Sequence, residues 1–374
     1  MKFVTLFLKT ENVHLLKDVG MIPYFLMKEH GMDCSIVTYN NDTGYGYADN
    51  EVKGLKLEFI EPSGRGREID GMRYLMRNAR RIDILNTYHL NLSSWLYGMV
   101  YKLFNPRGKI YLKLDMNLKG YKDCFRKNPV GIIKRATIRR ADVVSVETTV
   151  MLKKLRLFFG DKVIYIPNGC FMADPGQQDD AKFKESQVNK EDIILTVGNL
   201  GTYEKATGVL LESFAGYLRK SPRSTWELRL VGPVDEGFED VISRFKVKYP
   251  EMSKRVTFTG KITDKSVLDE EYERARVFAL PSLSESFGIV LVEAAMHGCY
   301  LITSDMVPAG HDVSHGYEFG SAVKAGDIKE LTDAFIKICD TPRDWDGIAR
   351  SAAGFTRRNF DWSRIVARLS KRLE

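Results

Sequence analysis

The 374-residue chain contains no apolar run approaching the ~18–20 residues that a membrane-spanning helix requires. Its opening, MKFVTLFLKTENVHLL, lacks the apolar core and small-residue cleavage site of a secretory leader, so FVTLFL reads as a first buried strand. The five cysteines (Cys34, Cys124, Cys170, Cys299 and Cys339) are odd in number, far apart and without ligand spacing. That argues against a disulfide framework or a zinc site and fits a reducing cytosol. No repeat with the ~20–50-residue period of solenoids and propellers is visible. What remains is a chain too long for one ordinary domain and long enough for two, with a hydrophobic content of 44% to fill their cores.

Charge is unevenly spread. Residues 1–170 carry 28 Lys and Arg against 17 Asp and Glu, a net +11, while the remainder balances 28 against 32, a net −4. A basic first half points to something anionic: a membrane surface, a phosphorylated acceptor or nucleic acid. Around Arg126, Lys127, Lys134, Arg135, Arg139 and Arg140 the basic residues surround an apolar set (Val130, Ile132, Ile133, Ile138). This pattern has two readings, an interfacial helix on anionic lipid or an ordinary solvated helix face. Nucleic acid is disfavoured because no reader motif accompanies the charge.

Strand-like runs at Phe3–Leu8, Cys34–Thr38, Ile82–Leu85, Ile110–Leu114, Val143–Val146 and Val163–Ile166 alternate with helical patterns such as Val19–His30, Gly71–Arg80 and Gly131–Arg140. Such alternation predicts a parallel sheet with helices on both faces. Residues following the strands, His89, Asp115 and Asn117 among them, become candidates for a ligand crevice, with turn or capping roles as the plainer alternative. The polar, turn-rich stretch 167–192 reads as an interdomain connection. A second series then follows: Ile193–Val197, the helix Val209–Arg219, Trp226–Val231, Val256–Thr259, Val277–Leu280 and Tyr300–Thr303. Beyond a helix at Ile328–Asp340, the segment FTRRNFDWSRIVARLSKRLE has the spacing of one basic amphipathic helix.

One stretch concentrates the chemistry: PSLSESFGIVLVEAAMHG, residues 281–298. Pro281 ends a buried strand, Ser284, Glu285 and Ser286 form a polar loop, and a helical period begins near Phe287 and stops at Gly298. The first turn of that helix offers unpaired N–H groups to an anion. Glu285 lies ahead of the helix and Glu293 about two turns inside it, so the two carboxylates approach a ligand from different directions. A sugar nucleotide fits this arrangement, phosphate on the N–H groups and hydroxyls on the carboxylates. A plain surface helix with a solvated Glu293 and a capping Glu285 fits it as well.

Three further stretches, taken with this one, decide between these readings. LTVGNLGTYEKATGVLLESF (195–214), LRLVGP (228–233), VTFTGKI (256–262) and PSLSESFGIVLVEAAMHGCYLITSD (281–305) occur in order, with IPNG at 166–169 before the connection. Together they resemble the family 4 glycosyltransferases, ESFGIVLVE matching the family's E-x7-E element. The resemblance is dense over the second half of the chain and covers the first half in outline. It implies an α/β chain of the GT-B class, two Rossmann-like domains facing across a cleft. The expected divisions are an acceptor-side domain at 1–170, a nucleotide-sugar domain at 171–354, and a C-terminal helix at 355–374 packing back toward the first domain.

The implied activity is retaining hexosyl transfer from a nucleotide diphosphate sugar, a UDP-sugar in preference to a GDP-sugar, without a divalent metal or other cofactor. In such a front-face transfer the donor phosphate itself takes the acceptor proton, and no side-chain base is required. By position, Glu293 is the expected ligand of the donor ribose. Glu285 would meet the transferred sugar, with Ser286 and the Phe287–Gly288–Ile289 backbone near sugar and diphosphate. Lys205 would neutralise the diphosphate, a pre-placed cation being an efficient stabiliser of a departing anion. The Gly260–Lys261–Ile262 backbone is the expected edge for the base.

Asn199 stands where the family usually has Arg, and the first strand–helix turn has the single Gly20 where many relatives have a Gly pair. Asp115 is carried as an acceptor-facing or catalytic-support residue, and Asp18, Gly20, His89 and Asn117 as acceptor-side candidates. The expected acceptor is lipid-linked or a saccharide, in polysaccharide or glycoconjugate assembly. The expected setting is cytoplasmic, with peripheral contact to the inner membrane face through the basic first half. The alternatives are a GT-B-type epimerase or phosphorylase, and a non-catalytic sugar-nucleotide-binding protein.

Overall fold

The computed structural model describes residues 1–170 and 190–374, so 171–189, most of the expected interdomain connection, lie outside the described residues. The chain divides into two compact units, Met1–Phe171 with Phe360–Glu374, and Met172–Asn359. The first holds a seven-stranded sheet in the order β3-β2-β1-β4-β5-β6-β7. Its strands are β1 (Lys2–Leu6), β2 (Asp33–Thr38), β3 (Lys56–Phe59), β4 (Ile84–Tyr88), β5 (Lys109–Leu114), β6 (Val143–Val146) and β7 (Val163–Tyr165). The second holds a six-stranded sheet in the order β10-β9-β8-β11-β12-β13. Its strands are β8 (Glu191–Val197), β9 (Glu227–Val231), β10 (Val256–Gly260), β11 (Ala275–Leu280), β12 (Tyr300–Ser304) and β13 (Gly320–Val323). Every pairing is parallel. In both units the first strand sits inside the sheet and the order reverses beside it, between β1 and β4 and between β8 and β11. At such reversals the strand-end loops splay apart and leave a crevice.

Alternation along β1 sends Phe3 to one core and Val4 to the other, which is how a sheet covered on both faces divides its side chains. One face is covered by the helices Asp18–His30 and Trp362–Leu373, which pack on each other. Trp362, Ile365, Val366, Leu369 and Leu373 are all fully buried in that core. The amphipathic segment expected as a single helix is therefore two. Trp345–Asn359 belongs to the second unit and Trp362–Leu373 to the first, with the break at Phe360 and Asp361, whose carboxylate caps the second helix by accepting from the Arg364 N–H at 3.1 Å. Gly169 lies against this break. A Cβ there would sit 2.7 Å from the Phe360 carbonyl oxygen.

Two strands escaped the sequence reading. β3 is an edge strand with alternating charges (KLEF), and β13 is the four-residue edge GSAV, so neither has the apolar run that marks the central strands.

Candidate functional site

The loops at the β8/β11 reversal are held close by backbone geometry. After β8 the chain turns through Gly198, whose N–H donates to the Val231 carbonyl at 2.9 Å. Gly232, at the end of β9, donates to the Gly260 carbonyl at 2.9 Å and has φ 138°. A Cβ at 232 would stand 1.8 Å from the Gly198 carbonyl oxygen, so only glycine lets the two strand ends approach. The chain then makes a single 3-10 turn, Tyr203–Lys205, ended by Ala206 at φ 52°. The Glu204 carbonyl accepts the Leu283 N–H at 2.7 Å, which ties this turn to the loop after β11.

Lys205 and Glu285 meet because of that tie. The Lys205 ammonium pairs with Glu285 Oε1, and the lysine stem passes over Gly198, where a Cβ would lie 3.6 Å from its Cε. Both partners are largely covered, so the pair is held in place more firmly than a surface ion pair. Ser282 Oγ lies 3.4 Å from the same carboxylate oxygen, and the Glu285 N–H donates to the Met306 carbonyl at 3.3 Å. The sequence put a cation and a carboxylate in this region separately. The fold joins them across the sheet reversal.

The helix runs Ile289–Met296, two residues shorter at its start than the apolar period implied. Phe287 is buried as an anchor of the loop, and Gly288 is the N-cap with φ 80°. The Leu291 N–H bonds back to the Gly288 carbonyl at 2.9 Å, and the first turn of the helix leaves further N–H groups without a carbonyl partner inside it. Glu293, half-buried, accepts a 2.9 Å hydrogen bond at Oε2 from the Tyr272 hydroxyl. Tyr272 is fully buried, and its phenol is pushed well above the ordinary range by burial and by the Glu293 charge, so it stays a donor. Its ring stacks on His297 with centroids 5.5 Å apart and planes 13° from parallel. His297 Nδ1 lies 2.8 Å from the Glu293 carbonyl oxygen, which can only accept, so the neutral ring carries its proton on Nδ1. Burial lowers this histidine to about 4, with Asp269 at 3.6 Å opposing.

The remaining donor-side candidates are spread over the same strand ends. Asn199 is exposed in the turn after β8, and its carbonyl is 3.5 Å from Thr202 Oγ1. Gly260 ends the edge strand β10, with Lys261 exposed and Ile262 half-buried beyond it. Ser286 and Ile289 are half-buried beside Gly288.

The first unit has a crevice of its own at the β1/β4 reversal, a cavity of about 380 Å³ whose lining includes Phe7, Lys9, Arg67, Glu68, His89 and Ser93. His89 follows β4 at φ 63°, a left-handed conformation that costs a non-glycine residue energy. Its N–H donates to the Lys113 carbonyl at 3.1 Å and its ring packs on Phe7 at 6.1 Å. Ser93 Oγ donates to Glu68 Oε1 at 2.7 Å, the main cause of that carboxylate's lowered pKa.

Of the other first-unit candidates, Asn117 caps the helix Leu118–Cys124 by accepting from the Gly120 N–H at 2.8 Å. Gly20 is buried where a Cβ would overlap the Leu15 carbonyl oxygen at 2.2 Å. Asp115 is exposed after β5. Asp18 is 3.4 Å from the ammonium of Lys113, which is fully buried and also pairs with Glu147 at 2.7 Å. Burial raises Glu147 to about 8 against the pull of Lys113. Asn168 donates to the same Glu147 oxygen at 2.9 Å. Neither Lys113 nor Glu147 was singled out from sequence. A lone lysine within the apolar run YLKL, and a glutamate closing VVSVE, were the available signals.

Among the described residues no three His, Cys, Asp or Glu side chains gather where they could hold a metal ion, and no helix is long and apolar enough to cross a membrane. Residues 191–341 match the family described as Glycosyl transferases group 1. The chain is 25% identical over 244 residues to mannosylfructose-phosphate synthase of Agrobacterium fabrum, covering 62% of this chain and 52% of that protein. It is 26% identical over 213 residues to phosphatidyl-myo-inositol mannosyltransferase of Mycolicibacterium smegmatis, covering 57% and 52%. It thus spans about half the length of these curated relatives. The crystal structure of Anabaena HepE in complex with UDP superposes with a TM-score of 0.75 at 15% identity, covering 100% of this chain and 99% of that one. Residues 191–341 thus match the glycosyl transferase group 1 family model, and the whole chain shares the two-domain GT-B fold.

Proposed function

We propose that the chain is a retaining, metal-independent glycosyltransferase that moves a hexosyl unit from a UDP-sugar to a lipid-linked or saccharide acceptor. The observation that carries this reading is the Lys205–Glu285 pair across the β8/β11 reversal, beside the Gly288-capped helix and the tethered Glu293. A nucleotide diphosphate seated there would take the helix N–H groups and draw the Lys205 ammonium to its phosphates. That frees Glu285 for the hydroxyls of the transferred sugar, while Glu293 holds the ribose. The C1–O bond to the diphosphate breaks as the acceptor hydroxyl attacks from the same face, and its proton passes to the departing phosphate oxygen. Lys205 lowers the barrier by meeting charge that grows on the leaving group. Asn199 supplies no second cation, so Lys205 carries that role alone within its turn.

UDP is favoured because HepE, a close match in fold, was solved with UDP. A lipid-linked acceptor is favoured by the basic first half and by the phosphatidylinositol derivative in the name of one relative. The crevice at Lys9, Arg67 and His89 is the proposed acceptor side. Titration calorimetry with UDP, GDP and their sugars, followed by product mass, tests the reading. UDP binding that weakens in Glu293→Ala, and an α-linked product from an α-linked donor formed in EDTA, are expected. Unchanged nucleotide affinity in Glu293→Ala would sink the site assignment, and an inverted product would sink the retaining mechanism.

A further inference from the structure

The helices Arg67–Asn78 and Leu92–Phe104 lie side by side on one face of the first sheet and run in the same direction. Their starts are joined where Ser93 Oγ donates to Glu68 Oε1 at 2.7 Å and the Tyr97 hydroxyl donates to the Arg67 carbonyl at 2.8 Å. Just past their ends Asn105 Nδ2 donates to the Ala79 carbonyl at 3.0 Å. Gly71 sets the spacing between them, since a Cβ there would fall 2.4 Å from the Tyr97 ring. Tyr74, Leu75, Tyr97 and Tyr101 bury the inward faces in the core. Hydrogen bonds at both ends and close packing in the middle make the pair one platform.

The outward faces of this platform are apolar. Leu92, Leu96, Met99 and Leu103 recur at spacings of four, three and four, which is a single stripe along a helix. Ile69, Met72 and Met76 form a second stripe on the neighbouring helix at spacings of three and four. Leu103 is 75% exposed, Leu92 52% and Met76 47%, Met99 and Ile69 are exposed too, and Leu96 and Met72 are half-buried. Scattered apolar exposure is ordinary, but two adjacent stripes are the kind of contiguous patch that marks an interaction surface. The four cations of the two helices are engaged or face elsewhere. Lys102 donates to the Gly108 carbonyl at 2.7 Å and pairs with Asp142 at 3.0 Å. Arg67 lines the crevice at the β1/β4 reversal, and Arg73 and Arg77 line a separate cavity of about 420 Å³ with Glu58 of β3.

We propose that this face pairs with the same face of a second copy of the chain, the two helix pairs closing into a four-helix arrangement about a two-fold axis. Antiparallel pairing puts Leu92 beside the partner's Leu103 and Leu96 beside the partner's Met99, so the stripe is complementary to itself. Its extent suits a dimer. Helices of 12 and 13 residues span ~20 Å and two packed side by side are ~20 Å across, roughly 400 Å² in plan and more with side-chain relief. Specific interfaces begin near ~600 Å² per partner. The face carries no free cation for lipid phosphates or nucleic acid, which an electrostatic partner would need. The inference concerns assembly, goes beyond the transfer reaction and is read from mass alone, so it stands or falls independently of nucleotide binding.

Sedimentation velocity of the full chain between about 1 and about 100 µM tests the pairing. The weight-average mass is expected to climb from 42.6 kDa toward twice that value across the range. Leu103→Glu is expected to weaken association at least ~tenfold, and Met76→Glu, on the other helix, to do the same. Adding Leu92→Lys to Leu103→Glu is expected to recover most of that loss, because antiparallel pairing brings positions 92 and 103 of the two copies together and opposite charges then meet. All three positions are exposed, so an unchanged melting temperature at the lowest concentration verifies that the variants are folded. A mass of 42.6 kDa at every concentration overturns the proposal. So does a dimer that Leu103→Glu and Met76→Glu both leave intact, and failure of Leu92→Lys to restore association overturns the antiparallel pairing. A monomer that binds phosphatidylcholine vesicles and loses them on Leu103→Glu also overturns it, the face then being lipid-facing.

Discussion

Tyr272→Phe removes one oxygen from a fully buried side chain and leaves its packing on His297 and Phe278 in place. What is lost is the 2.9 Å hydrogen bond to Glu293 Oε2. A hydrogen bond to a charged group contributes ~1.5–3 kcal/mol, and the partial exposure of Glu293 argues for the lower end of that range. If Glu293 holds the ribose, a carboxylate that has lost this tether is less well placed for it, and UDP affinity is expected to fall about tenfold, the equivalent of ~1.4 kcal/mol. The assay is titration calorimetry of wild type and Tyr272→Phe with UDP and with its 2′,3′-dideoxy analogue. The variant is expected to lose affinity for UDP and to bind the dideoxy analogue as wild type does, since the analogue has no hydroxyls for Glu293 to receive. In a Glu293→Gln background, whose amide oxygen can still accept from Tyr272, the phenylalanine substitution is expected to cost less, the deficit measuring their coupling. An equal loss for both nucleotides would mean that Tyr272 acts through general packing, and no loss for either would separate Glu293 from the ribose altogether.

Other perturbations follow from the same geometry. Lys205→Ala is expected to reduce kcat for transfer about 10²–10³-fold, the usual cost of one pre-placed electrophilic group, with little effect on folding; turnover near wild type would refute its leaving-group role. Gly232→Ala must move the strand ends apart, since its Cβ would fall 1.8 Å from the Gly198 oxygen. A loss of about 2–3 kcal/mol is expected from the denaturant midpoint of the second unit. His297 is neutral in the fold down to about 4, below its ordinary value of 6.5. Its unfolded form therefore binds the proton first as pH falls. Stability is expected to be fully present above about pH 6.5 and to decline by roughly 3 kcal/mol toward pH 4, and His297→Gln is expected to flatten that limb of a melting-temperature profile. Trp362→Ala empties a fully buried site and is expected to lower the first unit's calorimetric transition by about 3–5 kcal/mol while leaving the second's in place.

Central strands were legible in the sequence because an apolar run buried on both faces has one explanation. Val143–Val146 was placed to the residue, and β5 and β12 to within one. The loop after β11 was legible for a related reason: Pro281, a polar triplet and a helical period in succession describe a strand, a turn and a helix start. Side-chain partnerships were not. That Lys205 pairs with Glu285 depends on a backbone bond from Leu283 to Glu204 across 79 residues of sequence, and no periodicity encodes it. Tyr272 and His297 look like ordinary core and surface positions until the helices Lys265–Arg274 and Ile289–Met296 are brought side by side. The buried Lys113–Glu147 pair was hidden because Lys113 lies inside one strand and Glu147 just past another, and only the β5–β6 register places the two together.

The helix Trp362–Leu373 has a consequence for biosynthesis. The second unit is, in sequence, an insertion into the first, and the piece that closes one face of the first sheet is translated about two hundred residues after β7, the last strand of that sheet. A ribosome can therefore release a finished second unit while the first still exposes Leu15, Ile22, Leu26 and their neighbours, which meet Trp362 and Leu369 only once residues 360–374 have emerged. Nascent-chain protection of the first unit should appear after that of the second, although its strands emerge before the second's. Expressing residues 1–170 alone should yield an open-faced sheet that binds chaperone or aggregates, and fusing 360–374 to its end should restore solubility.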